Sequence, residues 1–165
     1  MAITAKLSGR DALMRRLEQL APNIEKHTAP VKLQVAKDLA EEIRARAPTG
    51  ATLEYMESIE GDTLSSRPAQ ERVGTSSTKD PTAAGIYASY IWRWLEYGTA
   101  PHSTTKGGGT VLGKKKAASD SSGMHPGTAA QAHIFPTYRA AKPNIRKRIL
   151  AAVNKAVREA RGGNR

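Results

Sequence analysis

Glu96 is the carboxylate in this chain whose setting most invites a chemical reading, because it lies among large aromatic residues in the stretch Tyr90–Thr99, YIWRWLEYGT. A carboxylate can act as general acid or base, but no histidine stands beside it in sequence, so it defines no reaction by itself. The expected role is a solvated helix position, or an ion pair with Arg93 or a neighbouring subunit. The four histidines, His27, His102, His125 and His133, lack the HExxH spacing of a metal pair. His102 and His125 stand in Ala-Pro-His-Ser and Met-His-Pro-Gly turns and can meet across the segment between them, which offers two ligands and no obvious third. Ser58 has no general base nearby and reads as a cap or surface hydroxyl. The chain has no cysteine, which removes disulfides, thiolate metal sites and cysteine nucleophiles together. Gly107–Gly109 followed by Gly113-Lys114-Lys115-Lys116 superficially resembles a phosphate-binding loop, yet Lys115 occupies the place where Ser or Thr must hold magnesium. The expectation is a protein that is not an enzyme and has no cofactor and no metal.

The elements that position these residues centre on the aromatic stretch. Tyr87, Tyr90, Trp92, Trp94 and Tyr97 fall within eleven positions, so the largest apolar surfaces of the chain are concentrated there. As a helix, the segment places Tyr90, Trp94 and Tyr97 on one face, with Tyr87 and Ile91 close by and Gly98 as its C-cap. As a strand it would place Tyr90, Trp92 and Trp94 together. The missing polar alternation favours the helix. Tyr90, Trp92, Trp94, Glu96, Tyr97 and Gly98 are the candidate contacts to another subunit or a partner, beside the plainer reading as a core helix.

Before this stretch, Ile3–Leu7 can form a short strand, and Ser8 with Asp11 reads as a capping box opening a helix through Leu13, Leu17 and Leu20. Ala21-Pro22-Asn23 is expected to break or bend that helix. A second helix then starts near Asn23 or Thr28, with Val31, Val35, Leu39 and Ile43 on one face and Pro30 in its first turn or at a kink. Pro48-Thr49-Gly50 ends it. Leu53–Ile59 is ambiguous between strand and helix and opens a stretch of antiparallel strands, with Arg72–Thr75 as the expected second member. Residues 61–70 and 75–85 read as turns or loops.

After it, residues 100–132 hold few large apolar side chains and are expected to be a mobile excursion, or one that orders on a partner, with Lys114, Lys115 and Lys116 as its contact residues. His133-Ile134-Phe135-Pro136 is expected to be a short extended piece leading into a helix whose Ile145, Ile149, Val153 and Val157 recur every four residues. That helix carries Arg146, Lys147, Lys155 and Arg158 opposite its apolar face, and Gly162-Gly163 ends it. The fold class expected is α+β, a small antiparallel sheet packed against two or three helices. Residues 1–158 form a single domain and 159–165 a disordered basic tail.

The formal net charge is +11, and it is uneven. Residues 139–165 carry nine basic side chains and one acidic one, enough to draw a polyanion such as DNA or an acidic protein surface. Arg146, Lys147, Lys155 and Arg158 are the candidate contacts. The aromatics at 87–97 do not alternate with basic residues as a base-stacking platform would. No apolar run approaches a membrane span, and MAITAKLSGR lacks the apolar stretch of a signal peptide. Synthesis in the cytoplasm and no membrane association are expected.

Several of these pieces occur in a characteristic order: Ala47-Pro48-Thr49-Gly50, Leu53, Ser58-Ile59, then the aromatic-Leu-Glu-Tyr-Gly-Thr stretch, a variable loop, and His133-Ile134-Phe135-Pro136 entering the last helix. Over about residues 8–158 the chain resembles the tail-completion or neck proteins of long-tailed bacteriophages and prophages, the gene-product-10-like family of lambdoid type. Many members read Pro-Phe where this chain has Phe135-Pro136. The resemblance implies a structural virion protein at the neck or tail top, made in the bacterial host cytoplasm and assembling as a homo-oligomeric ring, hexamer or dodecamer. It implies adjoining head-completion, portal or tail-tube proteins as partners and DNA in the channel contacted without sequence preference. It also implies that Trp94, Glu96, Tyr97 and Gly98 fix a turn that closes the domain and contact the neighbouring subunit.

Overall fold

A computed structural model describes residues 10–50, 52–74, 78–104 and 124–162. The chain is α+β, built on two long helices, α1 (Arg10–Arg44) and α4 (Ile134–Gly162), that pack against each other. Between them in sequence come a single helical turn, α2 (Glu54–Glu57), the strands β1 (Glu60–Thr63) and β2 (Ala84–Tyr87), helix α3 (Trp92–Tyr97), and the two-residue strands β3 (His102–Ser103) and β4 (Met124–His125).

Helix α1 buries Thr28, Val35, Ala36, Leu39, Ala40 and Ile43, steps of seven, one, three, one and three that keep one stripe turned inward. The expected break at Pro22 does not occur, and Pro30 also lies inside the helix. Both prolines are exposed, so the carbonyl each leaves without a donor can be solvated, and the packed stripe outweighs the local cost. The proposed strand at Ile3–Leu7 and the cap at Ser8 lie outside the described residues.

The two long helices run antiparallel, as three cross-links show. The Asn23 side chain donates to the Ala156 carbonyl at 2.7 Å, Arg148 pairs with Asp38 at 2.6 Å, and Arg46 donates to Thr137 at 3.3 Å. Rising residue numbers on one helix meet falling numbers on the other. Ala152 and Ala156 are buried in this contact while Ile145, Ile149 and Val153 are half-buried, so small side chains set the closest approach and the isoleucines flank it. Pro143 lies within α4 on its exposed side.

Strands β1 and β2 pair antiparallel, Glu60 opposite Tyr87 through Thr63 opposite Ala84. This corrects the expected pairing: Arg72–Gly74 is not the second strand, and Thr75 lies outside the described residues. Instead Arg72 forms an isolated bridge to the other side of Tyr87, and the Val73 N–H donates to the Ile86 carbonyl at 2.8 Å. The turn-like composition of 78–83 hid the short run Ala84-Gly85-Ile86-Tyr87 behind it. β1 lies flat on α1 because Gly61 has no side chain; a Cβ there would stand 2.3 Å from the Ala36 carbonyl carbon. Ile59, fully buried, closes the core together with Ile43, Ala88, Trp92 and Ile134, and Tyr87 is buried beside it in β2.

One ambiguity is resolved and two further expectations change. Leu53–Ile59 resolves as the single turn α2. His133–Pro136 is not extended; Ile134 is already the first residue of α4, and Pro136 sits in the first turn, where its missing N–H costs nothing. Helix α4 also continues through residues 159–162, which were expected to be disordered.

Candidate functional site

Helix α3 has two faces with different tasks. Trp92 and Glu96, four residues apart, are buried, whereas Tyr90, Trp94 and Tyr97 are 71%, 52% and 65% exposed. The stop at Gly98 agrees with the sequence reading, but the helix begins only at Trp92: Tyr90 and Ile91 precede it, and Tyr87, expected beside the Tyr90–Trp94–Tyr97 face, is a buried residue of β2. Gly98 has φ 73°, and a Cβ there would lie 2.5 Å from the Thr128 carbonyl oxygen. No other residue could turn the chain so close to that backbone.

The inward face is an anchor. One Glu96 oxygen accepts the His133 and Ile134 N–H groups at 2.8 and 2.9 Å, and the other accepts that of Phe135 at 2.9 Å. A helix begins with four N–H groups lacking partners inside the helix. Here Glu96 takes three of them, and the next residue is Pro136, which has none. The carboxylate also sits at the positive end of the α4 dipole, so its charge is stabilised although it is 3% exposed. This corrects the expectation of a solvated position or a partner for Arg93. The Arg93 guanidinium instead lies over the Trp92 ring, 5.3 Å from its centroid.

His133 and Tyr55 complete the anchor, and sequence reasoning missed both. The His133 Nδ1–H donates to the Gln131 carbonyl at 2.7 Å, which leaves Nε2 to accept the Tyr55 hydroxyl at 2.7 Å. Burial first, and then the Glu96 charge, raise the Tyr55 pKa. Tyrosine, histidine and glutamate in a row suggest proton-transfer chemistry, but all three are buried and the Glu96 oxygens are occupied by backbone donors. The arrangement holds structure. Thr137, in the first turn of α4, donates to the His133 carbonyl at 2.6 Å.

The outward face is a surface of aromatic rings. Tyr90 and Trp94 meet edge to face at 5.5 Å and 87°, and Tyr97 lies 6.1 Å from Phe135. Of the six expected contact residues, Tyr90, Trp94 and Tyr97 are therefore accessible to a partner, while Trp92 and Glu96 face inward and Gly98 is held against residues 128–130.

The basic candidates stand apart from this face. Arg146, Lys147, Lys155 and Arg158 are all exposed on α4, and Lys147 and Arg158 are three turns apart on the same side, about 16 Å along the axis. Lys155 also reaches Glu159 at 4.0 Å. Lys114, Lys115 and Lys116 lie outside the described residues. At the root of their segment, His102 and His125 are paired across β3 and β4, their rings stacked at 5.0 Å. This is the meeting across the segment that the sequence allows. Among the described residues no three His, Asp or Glu side chains converge as a metal site would require, and no helix is long and apolar enough to cross a membrane.

The chain matches no protein-family model, no curated protein and no solved structure.

Proposed function

We propose that this protein is a structural component of the head-to-tail junction of a long-tailed phage or prophage, a neck, tail-completion or tail-terminator protein that works by assembling into a ring of copies of itself. The observation that carries the reading is the division of α3. Its inner face is fixed to the core by the Glu96 cap, and its outer face presents Trp94 and Tyr97 to solvent, with Tyr90 exposed just before the helix. Tyrosine and tryptophan held on a rigid element are the residues that dominate protein contacts, and the fold itself does not use these three for its core. The order of motifs along the chain supports the neck family in particular. In this reading the protein performs no reaction, and it adjoins head-completion, portal or tail-tube proteins in the virion.

Negative-stain images of the purified protein test the proposal: closed rings are the expected result, and a field of single small particles at concentrations where neck proteins pack into virions contradicts it.

A second reading has its own observation. The exposed cations on α4 form a basic face suited to phosphate without sequence preference, so a nucleic-acid-binding protein is the alternative, and contact with channel DNA is compatible with the first. Retardation of duplex DNA at moderate salt supports it; no retardation even at low salt removes it.

A further inference from the structure

The exposed cations of α4 fall into two groups along its axis. Arg139, Lys142, Arg146 and Lys147 lie in the first half, Lys155 and Arg158 in the second. The interval from Lys147 to Lys155 is eight residues, about 12 Å of helix, and its exposed side chains, Leu150, Ala151 and Asn154, carry no charge. Little on the helix offsets these cations. Its one carboxylate, Glu159, pairs with His27 of α1 at 2.6 Å and reaches Lys155 only at 4.0 Å. Arg148, which lies between the groups in sequence, is turned to Asp38 of α1.

Two groups of cations held at a fixed separation on one helix match two rows of anions at that separation. The major groove of duplex DNA is about 12 Å wide and is walled by the phosphates of its two strands. A single strand offers one row only, and proteins that hold single strands add aromatic rings on which the bases stack. The cation-bearing side of α4 has no such ring: its two aromatic residues, Phe135 and Tyr138, line the groove between α4, α1 and the sheet. We infer that α4 lies across the major groove of duplex DNA, with Arg146 and Lys147 on the phosphates of one strand and Lys155 and Arg158 on those of the other. Ala151 and Asn154, small and uncharged, face the mouth of the groove between them. This rests on the basic-face reading and specifies its ligand, duplex rather than single-stranded nucleic acid.

Fluorescence anisotropy with the full chain tests this, using a labelled DNA duplex of arbitrary sequence and one of its single strands. At 0.1 M salt the duplex should bind at least about tenfold more tightly than the single strand. Two double variants each remove one side of the bridge, Arg146→Gln with Lys147→Gln and Lys155→Gln with Arg158→Gln. Each should lower the slope of log affinity against log salt on the duplex by about 2, and each should bind duplex and single strand alike. In the first, the nearest remaining cation of that half, Lys142, stands about 20 Å from Lys155 along the axis, too far to keep the bridge. Helical circular dichroism checks the fold of both, and if one loses its helix the other carries the test. Three results would overturn the inference. The wild type could bind the single strand as tightly as the duplex. A folded double variant could keep the preference for duplex. Polyglutamate could displace the duplex at equal charge, as it would if an acidic protein surface were the natural ligand. Failure of the wild type to bind either nucleic acid even at low salt removes the basic-face reading itself, which separates the two failures.

Discussion

Glu96 caps a helix that it does not belong to: its carboxylate accepts the Ile134 N–H at 2.9 Å, and those of His133 and Phe135 beside it. A side chain from a six-residue helix therefore closes the start of a helix 29 residues long. Since neither α3 nor the start of α4 has another means of satisfying these donors, the two elements are fixed to each other, and the orientation of the outward aromatic face follows from the cap.

Removing the cap is expected to be costly. Glu96→Ala leaves two buried N–H groups and a half-buried one without partners, each buried one worth about 1–3 kcal/mol when unsatisfied, so the loss of stability in denaturant titration should be at least about 2 kcal/mol. Glu96→Gln keeps one accepting oxygen but no charge at the α4 dipole, and should lose about half as much. Equal stability of wild type and Glu96→Ala would show that α4 is held by its packing on α1 alone.

The two tryptophans should separate cleanly. Trp92 is 4% exposed and packs near Phe135, so Trp92→Ala should cost about 3–5 kcal/mol. Trp94 is 52% exposed and touches chiefly Tyr90, so Trp94→Ala should cost about 1 kcal/mol or less. Thermal unfolding of both variants at a concentration where the wild type is unassembled makes the comparison; a larger loss for Trp94→Ala would place that ring in the core.

Gly61→Ala should destabilise by about 1–3 kcal/mol, because the added methyl meets the backbone of Ala36 and Lys37, which has no rotamer to change. A neutral result in chemical denaturation would mean that β1 does not lie on α1.

The turn carrying Asp80 should respond to acid. Lys32 donates to its carboxylate at 2.6 Å, and that bond first, then the Thr82 hydroxyl, lowers the Asp80 pKa from 3.8 to about 2. A depressed pKa contributes stability that is present above the ordinary carboxylate range and lost as pH falls through the folded value. The wild type should therefore exceed Asp80→Asn in melting temperature at pH 5 and above, and the gap should close between about pH 4 and pH 2. The gap should be small, because the Asp80 side chain is 37% exposed. A gap that persists unchanged at pH 2 would contradict the pairing.

What could be read from the residues alone followed from periodicity. The α1 stripe from Val35 to Ile43, the four-residue steps of α4 and the short aromatic helix with its glycine stop are local patterns, and they recur in the structure. The chain's antiparallel α+β class was legible for the same reason. What could not be read depended on distant partners. Pro22 and Pro30 are local helix breakers, overruled by a packed face whose other half is more than a hundred residues away. The true second strand, Ala84–Tyr87, is four residues of small and apolar side chains with no alternation, and only its pairing with Glu60–Thr63 defines it. Glu96 looked solvated because its partners, residues 133–135, are 37 to 39 positions away. An Ala-His-Ile-Phe-Pro run with no side-chain cap of its own could have raised the question of what caps it.

The most direct test of the ring reading is the solution mass of the wild type and of Trp94→Ala by light scattering across a range of concentration. The wild type should reach several times 17.7 kDa while Trp94→Ala, folded by circular dichroism, stays at one chain. A wild type that remains a single chain throughout, or a Trp94→Ala variant of the same mass as an assembled wild type, would contradict it.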